Sequence, residues 1–354
     1  MTSGQVDSIP WGELEGLASL LSESGTQPGS VPDNQWAIIE QALKILLDEL
    51  DSSGVLRLRK VFDDLYARDT VTGLPILVEL DQHALDAARH LGNKAEIGHL
   101  LGAKGHNLHR QGYHLDAINA FDESTSNYRE IGDVSAALEN YYMTSLCYRA
   151  LGKRKRARQI LEDVLESTDA DDPWRANPLQ VMAWLAQDEG NLTTAEALLR
   201  QALILYRQSA DADMLIAGAL ADLGEIVGIL GRTQEAGEFF RESLAILQKH
   251  EGQYDRQEAR TLLKYSELLI HLKDYPTAVK LLDEADDKVS RYGHYYDLLW
   301  QIELAKAYVY LRQGHVLKCR RKLRSVLRIR RHLGLPIFLL YQHVMKRYVQ
   351  RILK

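Results

Sequence analysis

The chain has 354 residues, enough for two ordinary domains or one elongated repeat array. Its composition, 45% apolar and 26% charged, excludes a disordered chain, and no run approaches the roughly 18 apolar residues needed to span a bilayer. The net charge of −6 hides an asymmetry: no Asp or Glu follows Glu303, where fourteen Lys and Arg remain, so the first 303 residues sum to −20.

In chain order, residues 1–34 mix Ser, Gly, Pro and acids, as in "SESGTQPGSVPDN", the composition of a flexible lead. Within it Trp11, Leu14, Leu17, Ala18 and Leu21 share one helical face, which Gly12 and Gly16 weaken. Residues 35–93 read as an N-terminal helical segment. Trp36, Ile39, Leu43, Leu46, Leu47 and Leu50 keep the 3.6-residue period of a first helix, ended by "DSSG" with Gly54 as its C′ residue. Leu58, Val61, Phe62 and Leu65 mark a second helix, and Pro75 suits the first turn of a third that runs to Leu91. "MTSGQVDSIPWGELE" lacks the basic start and apolar stretch of a secretion signal. Cys147 and Cys319 show no pairing pattern, so the expected address is the reducing cytoplasm.

From residue 94 the chain repeats a frame. In "GHNLHRQGYHLDAINAF" a small residue, Gly105, is followed seven positions on by Gly112, five further by Ala117 and four further by Phe121. The frame returns with Gly152, Ala157 and Leu161; with Gly190, Ala195 and Leu199; with Gly231, Ala236 and Phe240; with Lys273, Ala278 and Leu282; and with Gly314, Cys319 and Leu323. Such a frame serves two antiparallel helices. Gly relaxes the turn, Ala sits at the closest approach, and the bulky residue fills the gap toward the next pair.

Six frames in register resemble the tetratricopeptide repeat over roughly residues 94–329. Spacings of 40, 38, 41, 42 and 41 between the Ala-type positions match the long variety rather than the usual 34. The resemblance implies an all-α, right-handed superhelical solenoid over 94–335, with a concave groove. A capping helix at 336–354 would place Ile337, Leu340, Tyr341, Val344, Tyr348 and Ile352 over the last repeat.

No phosphate loop, HExxH, GxSxG, paired CxxC or EF-hand loop is present, so no catalytic residue, cofactor or metal is assigned and the chain reads as a non-enzyme. Six of the twelve His fall between His83 and His114. On His99, His106 and His109 three readings stand open: a metal site, a pH-sensitive ligand contact, or a solvated wall. Carried over by frame, the groove-facing positions are His106, His109 and Arg110; Tyr142 and Arg149; Gln180, Trp184 and Gln187; Asp222 and Glu225; and Arg260, Lys264, Glu267 and His271. Trp184 is either a contact anchor or a packing residue. The Lys/Asn clamp that related proteins use for a C-terminal carboxylate is not recognisable.

The segment "KCRRKLRSVLRIRRH" holds eight basic residues in fifteen positions. Arg321, Arg324, Arg328 and Arg331 form one helical stripe, flanked by Lys318 and Lys322, with Cys319, Leu323, Val326 and Leu327 on the side expected to be buried. Like-charge neighbours cost about 1–3 kcal/mol here at low salt. An acidic protein surface, nucleic acid, an anionic membrane and a solvated face all fit the stripe. No aromatic interrupts residues 318–332, which disfavours base stacking. Residues 1–53 carry nine acids against Lys44, so head-to-tail self-association is one version of the acidic partner. The leading expectation is an adaptor holding a peptide or protein in its groove. The alternatives are a peptide-responsive sensor-regulator and a nucleic-acid-associated scaffold.

Overall fold

A computed structural model describes residues 47, 50–61, 75–250, 252–292 and 296–332. The acidic lead, the helix from Trp36 (apart from Leu47 and Leu50) and the cap at 336–354 lie outside the described residues. Among those described there are fourteen α-helices, one short 3₁₀ turn and no strand. The chain divides into two compact units, residues 1–168 and 169–354. The boundary falls in the loop "STDADDPW", within the stretch read as one array.

The first unit holds α1 (Ser52–Val61), α2 (Pro75–His90), α3 (Lys94–Arg110), α4 (His114–Glu130), α5 (Val134–Ala150) and α6 (Arg154–Glu166). The second holds α7 (Ala176–Asp188), α8 (Leu192–Tyr206), α9 (Asp213–Ile229), α10 (Thr233–Gln248), α11 (Asp255–His271), α12 (Tyr275–Tyr292), α13 (Tyr296–Arg312) and α14 (Val316–His332), after the 3₁₀ turn Pro173–Arg175. Within each unit, consecutive helices pack against one another.

At α1 the structure corrects the sequence reading. Gly54 lies inside the helix rather than after one, and its N–H donates to the Asp51 carboxylate at 2.8 Å. Asp51 is the N-cap, and its side chain holds a first turn made of the weak helix formers Ser, Ser and Gly.

The turns within repeats behave as the frame requires. Gly112, at φ +87°, donates to His109 O while Tyr113 donates to Leu108 O, the bond pair that closes a helix on a left-handed residue. The same pair forms at the other turn positions of the frame, including Lys273 at φ 63°. The connections between repeats at Gly92 and Gly132 use it too. Asn93, Asp133, Asn191 and Asp274 complete one helix with their N–H and cap the next with their side chain. Each such connection is therefore three residues long.

Packing follows the same frame. Ala117, Ala157, Ala195, Ala236 and Ala278 have no exposed surface, and Cys319 is buried. Twelve residues before each stands a small buried residue: Gly105, Ser145, Ala183, Gly224, Ser266 and Ala307. Four residues after, Phe121, Leu161, Leu199, Phe240 and Leu282 are buried. The two Phe face the two Gly. A Cβ on Gly105 would lie 2.7 Å from the Phe121 ring, and one on Gly224 would lie 3.0 Å from that of Phe240. Where Leu replaces Phe, Ser or Ala fits opposite, so volume is conserved across the pair.

The sixth frame departs from expectation. Leu323 and Leu327 are 41% and 44% exposed, while Cys319, Val326 and Ile329 are buried. The bulky position of a frame faces the following helix pair, and no described residue follows α14 to cover it.

Lys273 should pay about 1 kcal/mol for its left-handed backbone. Lys273→Gly is expected to raise the melting temperature by about 2–4 °C per kcal/mol recovered, less the added entropy of an unfolded Gly. Lys273→Ala should give no such gain in the same thermal unfolding experiment.

Candidate functional site

Positions 42 residues apart occupy one place on the first helices of successive repeats in the second unit. Gln180 on α7, Asp222 on α9 and Lys264 on α11 therefore stand side by side. Asp222 Oδ2 accepts from Gln180 Nε2 at 2.8 Å and from Trp184 Nε1 at 2.7 Å. Its Oδ1 accepts from Lys264 Nζ, which also reaches Glu225 Oε2 at 2.8 Å. The Tyr206 hydroxyl lies 2.9 Å from both Gln180 Oε1 and Asn177 Oδ1, and so turns the Gln180 amide nitrogen toward Asp222. The Arg260 guanidinium sits 6.0 Å from the centre of the Trp184 ring. Burial alone would push the Asp222 carboxyl up. Lys264 and Arg260, with the donated hydrogen bonds, outweigh it and hold the group below the usual carboxylate range.

Beside this network a pocket of about 270 Å³ opens. Gly224, Gly228, Ile229, Phe240 and Leu268 supply its apolar wall, and Glu225, Lys264, Glu267 and His271 its polar one. The wall exists because Gly224 and Gly228 leave the α9 surface bare where Phe240 and Leu268 approach it. Ile229 and His271 are exposed at its mouth. Trp184 is half-buried, its N–H engaged by Asp222 and its ring by Arg260. Gln187, one turn further along α7, is half-buried and stands outside the network.

In the first unit the expected residues divide. His106 lies edge-on to Phe121, its rings 5.3 Å apart, and burial followed by Arg110 lowers its pKa. His109 Nδ1 lies 3.2 Å from Cys147 Sγ, and its ring centre is 5.1 Å from that of His114. Burial, then His114 and His106, bring its pKa down to about 4, which favours the neutral imidazole. Burial, then Asp122, pushes the Cys147 thiol up to about 12. That polarity is the reverse of a reactive thiolate–imidazolium pair, and Cys147 has no exposed surface. His99 and Arg110 are exposed, the latter bonded to Asn107, while Tyr142 and Arg149 are half-buried. Burial and Glu139 raise the Tyr142 phenol.

The basic stripe is narrower than its sequence implied. Arg321, Arg324, Arg328 and Arg331 are exposed along α14. Lys322 instead turns inward, 2.6 Å from the buried Glu303, because it lies three residues from Cys319 on the packed side. Lys318 is exposed, with its ammonium 5.4 Å from the centre of the Tyr310 ring.

The sequence reading missed three elements: the Phe240–Leu268 wall, the Tyr206 brace, and the approach of His114 and Cys147 to His109. The first carried a signal, since Gly224 and Phe240 both occupy frame positions. The last joins residues 38 apart on different helices, and no periodicity marks it.

Lys264→Met should leave the buried Asp222 and half-buried Glu225 without the ammonium between them and cost about 3–5 kcal/mol in chemical denaturation. The depressed Asp222 pKa adds stability above the ordinary Asp value and loses it as pH falls through the folded one. Asp222→Asn should therefore be less stable than wild type at pH 7, with the gap narrowing below about pH 4.

No family model and no curated protein sequence matches the chain. Its structure, however, is similar to many solved ones. A Rap protein complexed with competence and sporulation factor gives a TM-score of 0.59 at 13% identity, covering 91% of this chain and 98% of that one. NprR in complex with its cognate peptide NprX gives 0.56 at 18% identity, covering 89% and 88%. Aspartyl phosphate phosphatase F from Bacillus subtilis gives 0.51 at 12% identity, covering 93% and 95%. At these identities the likeness establishes architecture. In fold, the chain is a tetratricopeptide-type helical-repeat protein of the long variety, its repeats 38 to 42 residues apart.

Proposed function

We propose that the chain is a non-catalytic binding module taking an extended peptide, or a segment of a partner protein, along the face of α7, α9 and α11. One observation carries this reading. The pocket between α9, α10 and α11 joins an apolar wall to acidic side chains and to a lysine already engaged by Asp222 and Glu225. Its buried groups are prearranged, so a ligand need not order them, and Ile229, His271 and Arg260 remain exposed for contact. An apolar side chain would enter against Phe240 and Leu268, and a donor beside it would meet Glu225 or Glu267. No helix among the described residues is long and apolar enough to cross a membrane, which fits the cytoplasmic address proposed here.

The peptide-responsive version gains support from the Rap and NprR structures, whose bound partners are a competence and sporulation factor and a cognate peptide. In this reading Arg321, Arg324, Arg328 and Arg331 make a separate contact with an acidic protein surface. Nucleic acid on that stripe is the competing reading.

A peptide pool screened against the full chain by thermal shift should yield sequences that stabilise the wild type by about 2.7 kcal/mol at a hundredfold excess over Kd. Ile229→Glu combined with His271→Glu should cancel the shift without lowering the unliganded melting temperature by more than a few degrees. Retention of the shift in that variant would move the ligand elsewhere. Changing the four stripe arginines to Glu should release an acidic partner. Release of material absorbing at 260 nm instead would favour nucleic acid.

A further inference from the structure

His109, His114 and Cys147 form a group whose candidate ligand atoms all lie within 4.8 Å of one another. Each comes from a different helix of the first unit. His109 lies at the end of α3, His114 opens α4, and Cys147 sits in the last turn of α5. The left-handed turn at Gly112 brings the two imidazoles together, and the packing of α4 on α5 brings Cys147 beneath them. Two nitrogens and one sulfur are the donors that borderline and soft d10 ions select.

The distances agree with that chemistry. Bonds of about 2.0–2.1 Å to nitrogen and 2.3 Å to sulfur in a tetrahedral site put neighbouring donors about 3.4–3.6 Å apart. His109 Nδ1 and Cys147 Sγ stand 3.2 Å apart already. The widest separation within the group closes by no more than about 1.4 Å, which ring rotation about the soft second torsion of His supplies. A second observation is independent of the clustering. His114 Nδ1 is buried and has no hydrogen-bond partner. A buried polar atom left without a partner is costly, and an ion is one way to satisfy it. His109 and His114 are half-buried above the fully enclosed Cys147, so an ion has an approach from the imidazole side.

We propose that His109, His114 and Cys147 bind one zinc(II) or copper(I) ion that clips the helix–turn–helix of α3 and α4 to the next repeat at α5. Binding replaces the thiol proton by the metal, and the proton leaves to solvent. In a repeat protein each repeat contacts only its neighbours, so such a clip stiffens the junction that transmits order along the stack.

The test uses the full chain, stripped by chelator under reducing conditions, with zinc(II) and copper(I) titrated separately and cobalt(II) as a spectroscopic probe. The expected results are one equivalent bound, a higher melting temperature with metal, and a thiolate-to-cobalt charge-transfer band. Cys147→Ser should abolish the band. His109→Gln and His114→Gln should each weaken binding by more than the 10–100-fold typical of losing only a ligand's supporting partner. Cys319→Ser should change none of this. Saturation by one metal and not the other assigns the ion. Absence of stoichiometric binding by both ions, or a band that survives Cys147→Ser, overturns the site. The melting temperature of metal-free His114→Gln, whose residue opens α4 at the surface edge, guards against reading a folding defect as lost binding.

Discussion

Two helices can approach no closer than the side chains at their crossing allow, and in this protein that limit is set by a pair of positions in each repeat. One is the Ala series at 117, 157, 195, 236 and 278, with Cys319 in the sixth repeat. The other is the small residue twelve positions earlier. Burial there has the character of a fitted solid, since both Phe stand against Gly, and the frames with Leu carry Ser or Ala at the small position. The left-handed turns at Gly112 and its counterparts hold the two helices of each pair in the register this contact demands.

The side-chain network and pocket in the second unit are a by-product of that constraint. Because α9 and α11 carry the same contact at a spacing of 42 residues, side chains one repeat apart meet, and Asp222 collects donors from Gln180, Trp184 and Lys264. A carboxylate so enclosed is satisfied before any ligand arrives, and it fixes its neighbours in single rotamers. The same glycines that admit Phe240 and Leu268, Gly224 and Gly228, leave the pocket wall apolar. In the first unit, the corresponding closeness of α3, α4 and α5 produces the imidazole–thiol group instead.

Much of this was legible in the residues. Turn glycines, the substitution of Lys273 for one of them, and the buried Ala series all appear where periodicity put them, because each reflects a local steric demand repeated six times. Residues with partners outside the frame were not legible. Gly54 looked like a helix end until Asp51 was seen to cap the helix that contains it. Lys322 counted toward a basic stripe until the buried Glu303, nineteen residues away, claimed it. Leu323 kept its frame position but lost its burial, since that position serves a following helix. His114 and Cys147 carry no repeat signal, and their meeting with His109 is set by tertiary packing.

The steric coupling between Gly224 and Phe240 tests the central claim most directly, because it governs both helix approach and pocket wall. A double-mutant cycle of Gly224→Ala and Phe240→Leu, followed by chemical denaturation, should return a favourable coupling of at least about 1 kcal/mol. The smaller side chain would then relieve the overpacking that the added methyl creates. Strictly additive effects would mean that the small residue does not set the spacing, and the shared origin of fold and pocket would be lost.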